Sequence, residues 1–251
     1  MLYIYINISL RISYMATLRF KEILSRMLKR NKKPKYTKPE LITVNKEKLP
    51  RVGGLLRRTR LVKIKGKEFV IRENVTQEEL DIAWKLIDKG IPVEESLFRR
   101  PQGIDKVMIY QSTGDPIYYL YKYRQLTGFS ESDCTHVAQE YARIIGRINN
   151  ENIAHNDAHA SNTTIDKKGV VRIIDFKFAE KVEVDWNNPE DIWLEFRRDY
   201  FSVRKYLNFS GFKNKPIGPF FEIIVNQYTK ASPKVKKELL NILKSIFEAQ
   251  W

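Results

Sequence analysis

The stretch HNDAHASN, residues 155–162, places His155, Asp157 and Asn162 within eight positions. Asp157 and Asn162 are five residues apart, and Asp175 lies thirteen further on, in RIIDFKF. Groups of these kinds suit phosphoryl transfer. One carboxylate can orient an attacking hydroxyl and take its proton. An amide oxygen and a second carboxylate can hold Mg²⁺, which neutralises charge on phosphates. The interval between Asn162 and Asp175 matters as much as their types. TTID and VVRIID read as two strands with Lys168 and Gly169 in the turn. Such a hairpin would return Asn162 and Asp175 to one place.

His155 and His159 flank Asp157 four residues apart, which raises the possibility of zinc. Two histidines on a loop supply too few ligands for a zinc site, which takes three or four protein side chains. His155 reads instead as a member of the catalytic loop beside Asp157, hydrogen-bonding beneath it. His159 touches substrate or nothing.

The elements that must position this loop follow from periodicity and punctuation. LLRRTRLVKI and EFVIRE read as two strands around a Gly turn, and Arg72 closes the second. TQEELDIAWKLIDKG reads as a helix with Thr76 as N-cap and Gly90 as stop. KVMIYQ and PIYYLYKY read as two more strands around STGD. A longer helix over 131–149 has Val137, Tyr141, Ile145 and Ile148 on one face. A helix opens at Asn188 and Pro189, and two more close the chain, the last capped by Ser232 and Pro233. The order is sheet first, then helices. Residues 1–49 form a basic helix and linker, 50–124 a sheet-rich lobe, and 125–251 a helical lobe that carries the loop.

On these motifs the chain resembles the protein-kinase-like superfamily, whose catalytic loop is H-x-D-x-x-x-x-N followed by a D-F element. Here these are His155, Asp157 and Asn162, then Asp175 and Phe176. The wording HNDAHASN and IDFKFA is similar to the branch of small-molecule kinases that includes choline/ethanolamine kinases, thiamine kinase and aminoglycoside phosphotransferases. GGLLRRTRLVKIKGKEFVIRE resembles the first three strands of that branch, and the resemblance covers roughly residues 50–207. It implies an α+β, two-lobed kinase-like fold, with a small antiparallel sheet plus one helix, then a mainly helical lobe. It implies ATP and Mg²⁺ as cofactors, with Asp157 as base and Asn162 and Asp175 as metal ligands. It sets Gly53 and Gly54 in the phosphate-covering turn. It sets Arg72 where most kinases carry lysine, paired with Glu79 of the following helix. Thr76 and Glu79 also fit a capping box, which explains a glutamate there without any ion pair.

Two departures bear on the substrate. Lys177 replaces the glycine after D-F, and no A-P-E element follows. Little chain separates Asp175 from the helix at Glu190, which leaves little room for a peptide-binding segment. A hydroxyl-bearing small molecule is therefore the expected acceptor. RIO-type protein kinases lack that segment too, so a RIO-like serine/threonine kinase stays open. So do a lipopolysaccharide-sugar kinase at a membrane and a silent pseudokinase binding module. Residues 180–199 hold seven acids with Trp186 and Trp193, which would suit a cationic substrate. The competing reading puts Trp193, Phe196, Tyr200 and Val203 on a buried helix face.

Composition sets the outer bounds. The 251 residues carry a formal charge of +15, and 43% are hydrophobic, enough for a real core. From Ala16 to Lys38 there are nine Lys/Arg and one Glu. That basic, helically spaced segment could meet an anionic membrane or RNA, or dock on its own domain. The single cysteine, Cys134, excludes an intrachain disulfide and points to a cytoplasmic setting, with the inner membrane face as a peripheral alternative. The apolar start MLYIYINISL lacks a preceding basic segment, which is poor for a signal peptide, and Met15 is an alternative natural start. Oligomeric state and the identity of the acceptor are not legible.

Overall fold

A computed structural model describes residues 59–64, 67–101, 106, 108–122, 130–209 and 216–248. The chain divides into two compact units, Met1–Lys38 with Ile64–Lys67, and Pro39–Lys63 with Glu68–Trp251. The site lies in the second. The expected basic helix of residues 16–38 and the Gly53–Gly54 turn fall outside the described residues.

Strands β1 (Thr59–Ile64), β2 (Lys67–Arg72) and β3 (Met108–Gln111) form one sheet in that order. β2 and β3 run antiparallel, with Arg72 opposite Met108. Helix α1 (Gln77–Asp88) starts where Thr76 accepts the N–H of Glu79. Beyond its end Gly90 takes a positive φ, a conformation that costs glycine little. Val75, Leu80, Met108 and Tyr110 make a small core between this helix and the sheet.

The expected strand over PIYYLYKY is a correction. Only Asp115–Pro116 is extended (β4), and Ile117–Lys122 forms a short helix, α2. Its β-branched and aromatic residues favour a strand locally. Packing decides otherwise: Ile117 and Leu120, three apart, are both buried in the larger core, which a helical turn achieves and alternation does not.

The helix after residue 130, the hairpin and the last three helices match the sequence reading, and a short pair of strands, Ile153–Ala154 with Glu180–Lys181, was not expected. Helix α3 (Glu131–Asn150) opens with a capping box of Ser130 and Asp133 and buries Val137, Tyr141, Ile145 and Ile148. β5 (Ile153–Ala154) pairs with β8 (Glu180–Lys181). β6 (Thr163–Ile165) and β7 (Val171–Ile173) form the hairpin, and Gly169 in its turn has a positive φ. Three helices follow: α4 (Pro189–Phe209), α5 (Gly218–Asn226) and α6 (Pro233–Ile246). The face of α4 made by Phe196, Tyr200 and Val203 is fully buried, and Trp193 stacks on Tyr200 at 5.8 Å. The fold is α+β. Among the described residues no helix is long and apolar enough to cross a membrane.

Segment 92–97 ties the first sheet to the hairpin. Ile173 donates its N–H to Pro92 O at 3.3 Å, and Glu94 donates to Ile173 O at 3.1 Å. At its other end Leu97 donates to Ile109 of β3 at 2.7 Å. These backbone bonds set Glu94 between Arg72 and the end of β7.

Helices α3 and α5 meet at Gly146, where a Cβ would lie 2.5 Å from Ile224 O and 2.8 Å from Gln227 Cγ. Alanine gains about 1 kcal/mol in helix propensity over glycine, but here it must push the two helices apart. Overpacking of this kind costs about 1–3 kcal/mol. Gly146→Ala is expected to lower the urea midpoint of unfolding despite its better propensity. An unchanged or higher midpoint would show that α5 shifts freely.

Candidate active site

The loop after β5 is fixed from below by Asp199. This carboxylate, on α4, is fully buried. It accepts the N–H of His155 at 3.0 Å, the N–H of Asn156 at 2.8 Å and Nδ2 of Asn149 at 2.8 Å. Burial raises its pKa, and the three donors pull it back without cancelling the rise. Asp199 was one of the seven acids that suggested a cationic substrate. Its position corrects that part of the reading, since it serves the loop backbone. Trp186 is likewise occupied, donating Nε1 to Asn152 Oδ1 at 3.2 Å and meeting the Tyr228 ring edge-on at 5.2 Å.

His155 is fully buried and uses both ring nitrogens on the backbone. Nε2 donates to Ile174 O at 3.2 Å, and Nδ1 accepts the N–H of Asp157 at 3.3 Å. The ring lies 4.8 Å from that of Phe176. This arrangement needs the neutral imidazole, because Nδ1 is an acceptor. Burial, the largest cause, lowers its pKa to about 4, against the opposing pull of its bond to Ile174 O. With both nitrogens committed to backbone groups and no exposure, His155 holds the backbone of Asp157 in place. Asn156 takes a positive φ and sends Nδ2 to Phe178 O at 3.1 Å and to Glu180 Oε1 at 2.7 Å. Tyr141 OH donates to Ala158 O. The loop is thus held at four consecutive residues.

Asp157 and Asn162 meet directly. Nδ2 of Asn162 donates to Asp157 O at 2.9 Å and to Asp157 Oδ2 at 3.1 Å. That commits the amide nitrogen and leaves Oδ1 as the atom that could take a metal. His159 accepts the N–H of Ser161 at Nδ1, which leaves its Nε2 3.5 Å from Asp157 Oδ1. Asp157 is half-buried. Burial raises its pKa; His159 opposes this, the charge of Asp175 adds to it, and the bond from Asn162 opposes it.

Hairpin register explains the approach of Asp175. Thr163 sits opposite Ile173, and Ile174 donates its N–H to Asn162 O at 2.9 Å. Asp175 is the next residue. It takes φ 64° and ψ 74°, opens the 3-10 turn Phe176–Phe178, and donates its N–H to Glu94 Oε1 at 2.5 Å.

Arg72 lies on the other side of Glu94. Its Nη1 is 2.8 Å from Oε1 and 2.7 Å from Oε2, and its guanidinium sits 4.8 Å from the centre of the Tyr110 ring. Arg72 and Glu94 are both buried. Burial raises the pKa of Glu94, and Arg72 opposes the rise. For Arg72 burial lowers the pKa, and Glu94 and Asp175 outweigh it. Arginine keeps its proton in proteins, so the guanidinium is the fixed charge of the pair. The sequence assigned this ion pair to Glu79. The carboxylate that the structure sets on Arg72 is Glu94, which sequence reading missed. Glu79 is buried, and its backbone N–H is capped by Thr76 Oγ1 at 3.2 Å, which is one of the two bonds of the expected capping box.

No protein family matches the chain. A curated relative, the developmentally-regulated protein kinase 1 of Dictyostelium discoideum, is 29% identical over 162 residues. The match takes in 64% of this chain but only 21% of that protein. It supports a distant kinase-like relationship and leaves the branch and the substrate open.

Two expectations follow. A histidine with its folded pKa depressed to about 4 contributes stability that is complete above its unfolded value near 6.5 and is lost as pH falls towards 4. Unfolding free energy should drop by about 1–1.5 kcal/mol between pH 7.5 and 5.5 from this group, and His155→Gln should flatten that slope. Asp199→Asn turns one acceptor into a donor against backbone N–H groups. It should cost about 2–4 kcal/mol in urea denaturation, whereas a surface acid such as Glu183 should cost almost nothing.

Proposed function

We propose that the chain is an ATP- and Mg²⁺-dependent phosphotransferase acting on a hydroxyl acceptor. The observation that carries this reading is the β6–β7 register, which delivers Asn162 and Asp175 to one place beside Asp157. The donor set fits the metal. One amide oxygen and one carboxylate are hard oxygen ligands, and Mg²⁺ takes few protein ligands and completes its octahedron with water and phosphate oxygens. Asp157 and Asp175 also repel each other, which a bound cation would relieve. Bound MgATP would supply the γ-phosphoryl group and an ion that neutralises its developing charge.

The remaining roles belong to side chains. Asn162 Oδ1 and the Asp175 carboxylate would hold the metal. Arg72 would carry positive charge to the α/β phosphates. Asp157 would orient the acceptor hydroxyl and take its proton, and the Asn162 bond fixes its direction. The fold assigned is the two-lobed kinase-like one. A small-molecule acceptor is favoured, because only a short connection separates Asp175 from α4, with too little chain for a peptide-binding segment. A protein hydroxyl is the second reading, favoured by the name of the Dictyostelium relative. A cationic acceptor keeps less support now that Asp199 and Trp186 are committed within the fold.

Thermal unfolding with ATP and Mg²⁺ tests the reading, since a ligand that binds only the folded state raises its stability. Wild type should gain several degrees, and Asp175→Ala should lose the metal-dependent part while folding normally. Asp157→Asn should keep the gain and lose turnover by about 10²–10⁴-fold. Wild-type turnover in Asp175→Ala contradicts the site. Absence of any shift with wild type at millimolar nucleotide favours a binding module.

A further inference from the structure

The sequence reading gave Glu94 no role, yet its carboxylate joins Arg72 to the backbone of Asp175. The Glu94 backbone is pinned to Ile173 at 3.1 Å. One carboxylate oxygen, Oε1, serves both neighbours: Arg72 Nη1 at 2.8 Å and the Asp175 N–H at 2.5 Å. The other, Oε2, is 2.7 Å from the same Arg72 nitrogen. Asp175 holds a left-handed backbone at φ 64°, a conformation that costs a non-glycine residue about 1–3 kcal/mol and persists only where surroundings enforce it. The Glu94 bond is such an enforcement. A buried ion pair is a weak source of stability compared with apolar residues of the same size. Its placement against the proposed metal ligand therefore asks for a role beyond stability.

We infer that Glu94 is a positioning residue that couples the phosphate-side cation, Arg72, to the metal-side carboxylate, Asp175, an inference that rests on the phosphotransferase reading above. Arg72 is presented by β2 and Asp175 follows β7, so each belongs to a different sheet. Glu94 sets the distance between them through one carboxylate. Nucleotide phosphates drawing on Arg72 and a metal drawing on Asp175 would then be sensed by the same side chain, and the two events would favour each other.

Two substitutions separate the arms. Glu94→Gln keeps one oxygen for Arg72 and the Asp175 N–H but sets an amide –NH₂ against the guanidinium in place of Oε2. Glu94→Ala removes both arms. The readout is equilibrium binding of ATP by calorimetry, once in EDTA and once in excess Mg²⁺, with circular dichroism to confirm folding. For wild type, Mg²⁺ should tighten ATP binding. Glu94→Gln should weaken ATP in EDTA by about tenfold and keep the Mg²⁺ gain. Glu94→Ala should weaken ATP similarly and also lose about tenfold of the Mg²⁺ gain. If wild type binds and folded Glu94→Ala keeps its full Mg²⁺ gain, the coupling is overturned while the phosphotransferase reading stands. If Glu94→Ala does not fold, wild-type affinity in Glu94→Gln overturns it. If wild type binds no nucleotide, the phosphotransferase reading falls, and the coupling falls with it.

Discussion

One buried carboxylate supports the loop on which the proposed chemistry depends. Asp199 is taken fully out of water, where an isolated charge is costly. Three N–H groups offset that cost, and two of them are the backbone amides of His155 and Asn156. Charge-assisted bonds of this kind are roughly twice as strong as neutral ones. Asn149 is held in turn by Tyr228 OH at 3.2 Å, and Tyr228 by Tyr200 OH at 2.8 Å. The loop therefore inherits its position from α3, α4 and Tyr228 just beyond α5, through polar groups embedded in the largest core. A network like this rigidifies when every member is satisfied. That is what a site needs when its work is placement of a few groups to within fractions of an ångström.

Above this base, two backbone registers do the assembly. The β6–β7 hairpin brings Asn162 beside Ile174 and so next to Asp175. The segment 92–97 lies between β3 and β7 and brings Glu94 to both Arg72 and Asp175. Side chains on separate elements thus converge with little freedom left. His155 illustrates the same economy. Its two nitrogens bridge Ile174 and Asp157, so one imidazole joins the loop that carries the proposed base to the strand end that carries the proposed metal ligand.

Much of this was legible in the sequence because it rests on local rules. Thr76, Ser232 and the Asn188–Pro189 pair mark helix starts, and Gly90 and Gly169 mark positions of positive φ. The spacing of Asp157, Asn162 and Asp175 is legible because a hairpin has a fixed register. What was not legible depends on contacts far apart in the chain. Ile117–Lys122 carries strand-forming residues, and only the core beneath it selects a helix. Arg72 has two buried glutamates within reach in sequence terms, Glu79 and Glu94, and no local pattern chooses between them. The choice is made by the bridge of segment 92–97 to β7. Asp199 looked like one acid among seven, because burial is a property of the folded core and not of acid spacing. A signal was present nonetheless: its spacing from Phe196 and Val203 puts it on the buried side of α4, where a carboxylate must find donors.

The most direct test is a crystal structure with a non-hydrolysable ATP analogue and Mn²⁺ in place of Mg²⁺, located by its anomalous scattering. The account predicts a metal peak bound by Asn162 Oδ1 and the Asp175 carboxylate, with the terminal phosphate facing Asp157 and the α/β phosphates facing Arg72. A nucleotide bound with its metal away from Asn162 and Asp175 would contradict it.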